Sequence, residues 1–181
     1  MSPQQYDPEK HNRRSIRLKG WDYRTLGFYF ITICAHRRQH LFVNEALCEL
    51  VMQGWHNIPT HPHAQHIGVD QSILMSNHFH GVLQVKYWVA GVEETAVLPH
   101  GLIPNSVPAI VGNFKSVVAR RINNVRRTHG EPVWQRGYYE RIVRNERELN
   151  AIREYIRLNP LRWAEDRDNL DALINKITLI D

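Results

Sequence analysis

Two apolar runs, Ile67 to Met75 and His78 to Val85, are separated by Ser76-Asn77 alone. A gap that short has no room for a crossover, so the runs must pair antiparallel as a hairpin. The flank before the hairpin carries one strand signal and one helix signal, and the flank after it one strand signal and three helix signals. Before it, Gly27 to Ala35 is rich in aromatic and β-branched residues and reads as a central strand. Ala46, Leu47, Leu50, Val51 and Trp55 then recur at helical spacing, with Asn44 placed to cap the helix and Pro59 to stop it. After the hairpin, Ile110, Val111, Phe114, Val117, Val118 and Ile122 mark a long helix over 107–127, broken by Thr128-His129-Gly130-Glu131-Pro132. Tyr138 to Val143 reads as a fourth strand. Asn145 caps a third helix running from Glu146 to about Leu158, ended by Asn159-Pro160, and a last helix is expected over 169–177. The order βαββαβ predicts an α+β domain of the ferredoxin-like split βαβ type, an antiparallel sheet with helices on one face, plus C-terminal helices.

A chain of 181 residues suits one ordinary domain. The expected division is a basic arm over 1–24, the main domain over 25–165 and a helical tail over 166–181, with 87–106 as a loop or insertion. The longest apolar stretch falls well short of the roughly 18 residues that a membrane span needs, and the polar start is unlike a secretory signal. The two cysteines, Cys34 and Cys48, sit in apolar segments without metal-type spacing, which predicts reduced core residues of a cytoplasmic protein. A net charge of +5 favours a polyanionic partner. Arginine far outnumbers lysine and crowds the arm, the end of the second helix and the stretch from Arg136 to Arg162, which suits phosphate contacts.

The chemistry-bearing residues lie on two of these elements. Strand alternation puts His78 and His80 on one face, so both imidazoles can address one divalent ion. The same spacing in His61-Pro62-His63 falls in a proline-flanked loop and reads as surface. Tyr155 and Asn159 lie four apart on the third helix and therefore on one side of it. Two imidazoles and an amide oxygen suit Mg²⁺ or Mn²⁺ when phosphate oxygens complete the shell. Tyr155 can equally be a core-edge residue with a wet hydroxyl, and Asn159 an ordinary residue before Pro160. A phenol with an ordinary pKa of about 10 needs activation before it can attack phosphorus.

The segment Arg13-Arg14-Ser15-Ile16-Arg17-Leu18-Lys19-Gly20-Trp21-Asp22-Tyr23 resembles the N-terminal arm of REP-associated tyrosine transposases, single-tyrosine proteins of the HUH type. The resemblance continues through Phe28 to Cys34, Asn77-His78-Phe79-His80-Gly81, Ile110 to Ser116, Val133 to Glu140 and Tyr155-Ile156-Arg157-Leu158-Asn159-Pro160. It implies that His78 and His80 are metal ligands, that Asn159 completes the coordination of Mg²⁺ or Mn²⁺, and that Tyr155 is the nucleophile. It implies a single-stranded DNA hairpin as substrate, cut through a 5′-phosphotyrosine link, with Arg13, Arg14, Arg17 and Lys19 of the arm reading the DNA. Lys115 is a further candidate DNA contact. Trp134 is expected to pack or to stack on an unpaired base. Where the family has proline before the Asn-His step this chain has Ser76, which predicts a looser turn. Tyr138 and Tyr139 are rival nucleophiles, and only one of them can face the histidines. Related proteins act as dimers that exchange the tyrosine helix or as single subunits, and the sequence leaves both open. A non-catalytic hairpin-binding protein and a metal nuclease using water are the alternative readings.

Overall fold

The computed structural model describes residue 18, residues 20–90 and residues 102–162. The expected tail helix, the arm positions Arg13, Arg14, Arg17 and Lys19, and the middle of the 87–106 segment lie outside the described residues. The element order is β1 (Gly27–Cys34), α1 (Glu45–His56), β2 (Ile67–Leu74), β3 (His78–Val85), α2 (Val107–Arg126), β4 (Tyr139–Val143) and α3 (Glu146–Arg162). The four strands form one antiparallel sheet in the order β2-β3-β1-β4, which is the ferredoxin-like arrangement.

Side-chain caps start all three helices, at Asn44 and Asn145 as expected and also at Ser106. Asn44 Oδ1 accepts from Leu47 N at the head of α1, Ser106 Oγ from Ala109 N at the head of α2, and Asn145 Oδ1 from Glu148 N at the head of α3. The α1 and α2 stripes then bury Leu47, Val51, Trp55, Ile110, Phe114, Val118 and Ile122 against Tyr29, Ile31, Ile33, Phe79 and Leu83 on one face of the sheet. Gly81 is required there: a Cβ at this position would stand 2.5 Å from Trp55 Cζ2, so the indole lies directly on the strand backbone.

The other face holds a smaller core. Leu149, Ile152 and Ile156 of α3 pack on Phe30 and Val82, with Phe28, Ile73, Tyr139, Val143 and Tyr155 at its edge. A bulge between Val69 and Ser72 lets β2 serve both cores: before it Val69 pairs with Leu83, after it Ile73 pairs with His80. Asp70, inside the bulge, takes Arg153 of α3 in a two-pronged ion pair, Nη2 to Oδ2 at 2.6 Å and Nε to Oδ1 at 3.1 Å. The helix therefore docks on the sheet of its own chain.

One boundary differs from expectation. The third helix does not end before Pro160 but runs through Asn159-Pro160 to Arg162. Proline removes one N–H and crowds the carbonyl four residues back, a penalty of about 3 kcal/mol in a helix interior. Here it falls in the last turn of a helix already committed by three buried side chains, each contributing roughly 1.5–3 kcal/mol of burial.

Candidate active site on the α3 face of the sheet

The hairpin turn presents His78 and His80 at the start of β3, and the register sets Cys34 opposite His78 and Thr32 opposite His80. Both imidazoles lie on the α3 side, with ring centroids 4.6 Å apart. His80 is buried, and Phe30 from the neighbouring strand stacks on it at 5.4 Å. Each ring has its Nδ1 occupied. Thr32 Oγ1 lies 2.8 Å from His80 Nδ1, and Asn77 Oδ1 lies 2.8 Å from His78 Nδ1. An amide oxygen only accepts, so Asn77 holds the proton of neutral His78 on Nδ1 and keeps the Nε2 lone pair available. Thr32 can hold His80 in the same tautomer. This is the support that metal-bound imidazoles ordinarily receive.

Desolvation keeps both rings neutral, His80 buried and His78 half-buried. His78 is pushed down to about 4, chiefly by desolvation and then by the nearby Arg38 charge. His80 is pushed well below its ordinary 6.5 by complete burial and by His78.

Tyr155 reaches the pair from α3. Its hydroxyl oxygen lies 3.4 Å from His80 Nε2, so the phenol and the ring nitrogen converge on one point. Phe30 meets the phenol edge-on at 6.3 Å, which aligns the Tyr155 and His80 rings against the same strand. Asn159 extends the stripe of Leu149, Ile152 and Ile156 by one more turn and is buried, and its Oδ1 has no hydrogen-bond partner. An unmet buried acceptor costs about 1–3 kcal/mol. Among the described residues no group of three or more His, Cys, Asp or Glu could hold a metal. A donor set of two imidazole nitrogens plus the orphaned Asn159 oxygen does fit a hard divalent ion whose other ligands come from substrate oxygens.

No family model matches the sequence. A Haemophilus influenzae protein described only as uncharacterized is 36% identical over 183 residues, covering 92% of this chain and 98% of that one. The chain belongs to its family. Among solved structures, a REP-associated tyrosine transposase bound to a REP hairpin matches at a TM-score of 0.50 and 15% identity, covering 82% of this chain and 73% of that one. The resemblance to REP-associated tyrosine transposases is thus present in the fold.

The structure brings His78, His80 and Tyr155 together and leaves Lys115 elsewhere. Lys115 is on α2, across the sheet, and its ammonium donates to the carbonyls of Gln135, Arg136 and Gly137 at 2.8, 3.3 and 2.9 Å. It secures the loop before β4. Trp134 packs, buried with its ring 5.0 Å from that of Phe42. His61 and His63 are exposed in their loop, as expected. Of the rival tyrosines, Tyr139 shares the α3-side core and Tyr138 packs on the other. The turn at Ser76 is pinned rather than loose: Phe42 N donates to Ser76 O, Ala35 N to Asn77 O, and Ser76 Oγ pairs with His40 Nδ1 at 2.8 Å. Thr32 and Asn77 are the supporting residues that sequence reasoning passed over. Thr32 has no signal before the register is known, whereas Asn77 stands beside His78 in the motif.

No helix among the described residues is long and apolar enough to cross a membrane.

Proposed function

We propose that this protein is a transposase-like DNA strand transferase. It cleaves and rejoins single-stranded DNA folded into a palindromic hairpin, through a 5′-phosphotyrosine link to Tyr155. The observation that carries this reading is the 3.4 Å approach of the Tyr155 hydroxyl to His80 Nε2, next to the His78 imidazole and on the helix whose buried Asn159 oxygen is unmet. The fold shared with a hairpin-bound tyrosine transposase supports a DNA hairpin as the partner.

His78, His80 and Asn159 would hold Mg²⁺ or Mn²⁺, which supplies charge neutralisation at the scissile phosphate. The Tyr155 oxygen attacks phosphorus, the bond to the 3′ oxygen breaks, and the DNA 5′ phosphate passes to the phenol oxygen. The phenol proton is given up as the departing 3′ oxygen gains one. Attack by a 3′ hydroxyl on the phosphotyrosine reverses the exchange, so one phosphodiester is traded for one phosphotyrosine and no nucleotide is consumed. Asn77 and Thr32 orient the rings, and Phe30 aligns His80 with the phenol.

The test is incubation with labelled hairpins from the flanks of its own gene, with and without divalent ion, followed by denaturing gels. Wild type is expected to leave an SDS-stable protein–DNA adduct that requires the ion. Tyr155→Phe should still bind the hairpin yet form none, whereas Tyr139→Phe should form it. Adduct persisting in Tyr155→Phe, or cleavage that leaves no protein on the DNA, would overturn the reading.

A further inference from the structure

Arg37 and Arg38 lie in the turn after β1, and both have left-handed backbones, with φ of 52° and 54°. A side chain in this region meets its own carbonyl, which is why glycine or asparagine is the usual occupant. Here two consecutive arginines hold it. The surrounding hydrogen bonds enforce the conformation: Arg38 N donates to Ala35 O, Gln39 N to His36 O and His36 N to Val133 O. The same segment is stitched to the hairpin turn before His78 by Ala35 N to Asn77 O and Phe42 N to Ser76 O, at 2.8 and 2.9 Å. The strained turn and the histidine strand are therefore one rigid unit. Both arginines are exposed, and the Arg38 charge is close enough to act on His78.

Strained backbone that neighbours over-determine is concentrated at ligand clamps. The turn after β1 sets two exposed arginines beside the hairpin turn that leads into His78.

We propose that Arg37 and Arg38 clamp the phosphate backbone of the DNA strand that enters the histidine centre, through guanidinium contacts that carry no base preference. This rests on the strand-transferase reading of that centre. The arginines are positioning residues: they set which phosphate lies over His78, and they do not take part in bond exchange.

The experiment measures binding of labelled single-stranded DNA across a salt series, in the Tyr155→Phe background so that no cleavage intervenes. Each phosphate contact on a single strand adds about 0.7 to the slope of log K against log salt. Arg37→Ala/Arg38→Ala should therefore lower that slope by about 1.4, equivalent to roughly 25-fold weaker binding at ~0.1 M salt referred to 1 M. Arg37→Lys/Arg38→Lys should keep the slope. Arg37→Gly, which relieves the backbone, should melt no lower than its parent and still lose about half of the slope change. An unchanged slope in the alanine and glycine variants, with wild type forming adduct normally, would overturn the clamp and leave the strand-transferase reading standing. If the wild-type chain neither binds the strand nor forms adduct, both fall.

Discussion

Asp70 and Arg153 tie the helix that carries Tyr155 to the bulge of β2, through two contacts at 2.6 and 3.1 Å. Their partnership lowers the Asp70 carboxyl below its usual range and raises Arg153. The pair is partly exposed, so its contribution to global stability is modest, about 0.5–1 kcal/mol. Its geometric effect is larger, because Arg153 lies two residues before Tyr155. Asp70→Asn should lower the thermal midpoint only slightly while reducing the adduct-forming rate on the order of tenfold or more, as expected when a reacting group is misplaced by a fraction of an ångström. Melting curves and adduct time courses on one preparation check this, and an adduct rate equal to wild type would refute it.

Thr32→Val deletes the hydroxyl beside His80 Nδ1 with little change of shape. The ring is left with an unmet buried nitrogen, a cost of about 1–3 kcal/mol. Loss of such orienting partners ordinarily weakens metal affinity by about 10–100-fold. Titration of Mn²⁺ by calorimetry should show that loss, with Asn77→Leu giving the corresponding effect at His78.

Acid should unfold this protein through its histidines. His80 is buried and His78 half-buried, both neutral, so their folded pKa values lie below the unfolded 6.5, with His78 at about 4. Between those limits the unfolded chain binds more protons than the folded one. Stability is therefore full above pH 6.5 and falls as the pH drops toward 4, by about 1.4 kcal/mol per imidazole for each pH unit. His78→Gln should flatten that dependence in denaturant titrations at pH 7.0, 6.0 and 5.0.

Gly81→Ala places a methyl group 2.5 Å from Trp55 Cζ2. Overpacking of this kind costs about 1–3 kcal/mol, and here the indole is wedged between Phe79 and Phe114 with little freedom to yield. Because Gly81 adjoins His80 in β3, the variant should lose metal affinity together with stability. A melt unchanged from wild type would show that Trp55 can move aside.

The hairpin, both flanking helices and the four strands were legible because each rests on local periodicity and caps. Asn44 and Asn145 do in the structure what their positions in the sequence imply. The pairing of His78 with His80 was legible for the same reason, since alternation along one strand needs no partner. What escaped depends on residues far apart in the chain. Thr32 is an unremarkable strand residue until the register sets it opposite His80, 48 residues away. The bulge at Asp70 shows only when Val69 and Ser72 are matched to Leu83 and Gly81. Lys115 reads as a candidate DNA contact because the carbonyls it serves lie about twenty positions downstream, and Pro160 reads as a stop because the packing that carries α3 past it is tertiary.

Within the one chain described, α3 lies on its own sheet and brings the Tyr155 hydroxyl to His80, and we propose that each polypeptide works as its own centre. Poisoning an active preparation with a dead copy should therefore dilute turnover in simple proportion to the mixture rather than with its square.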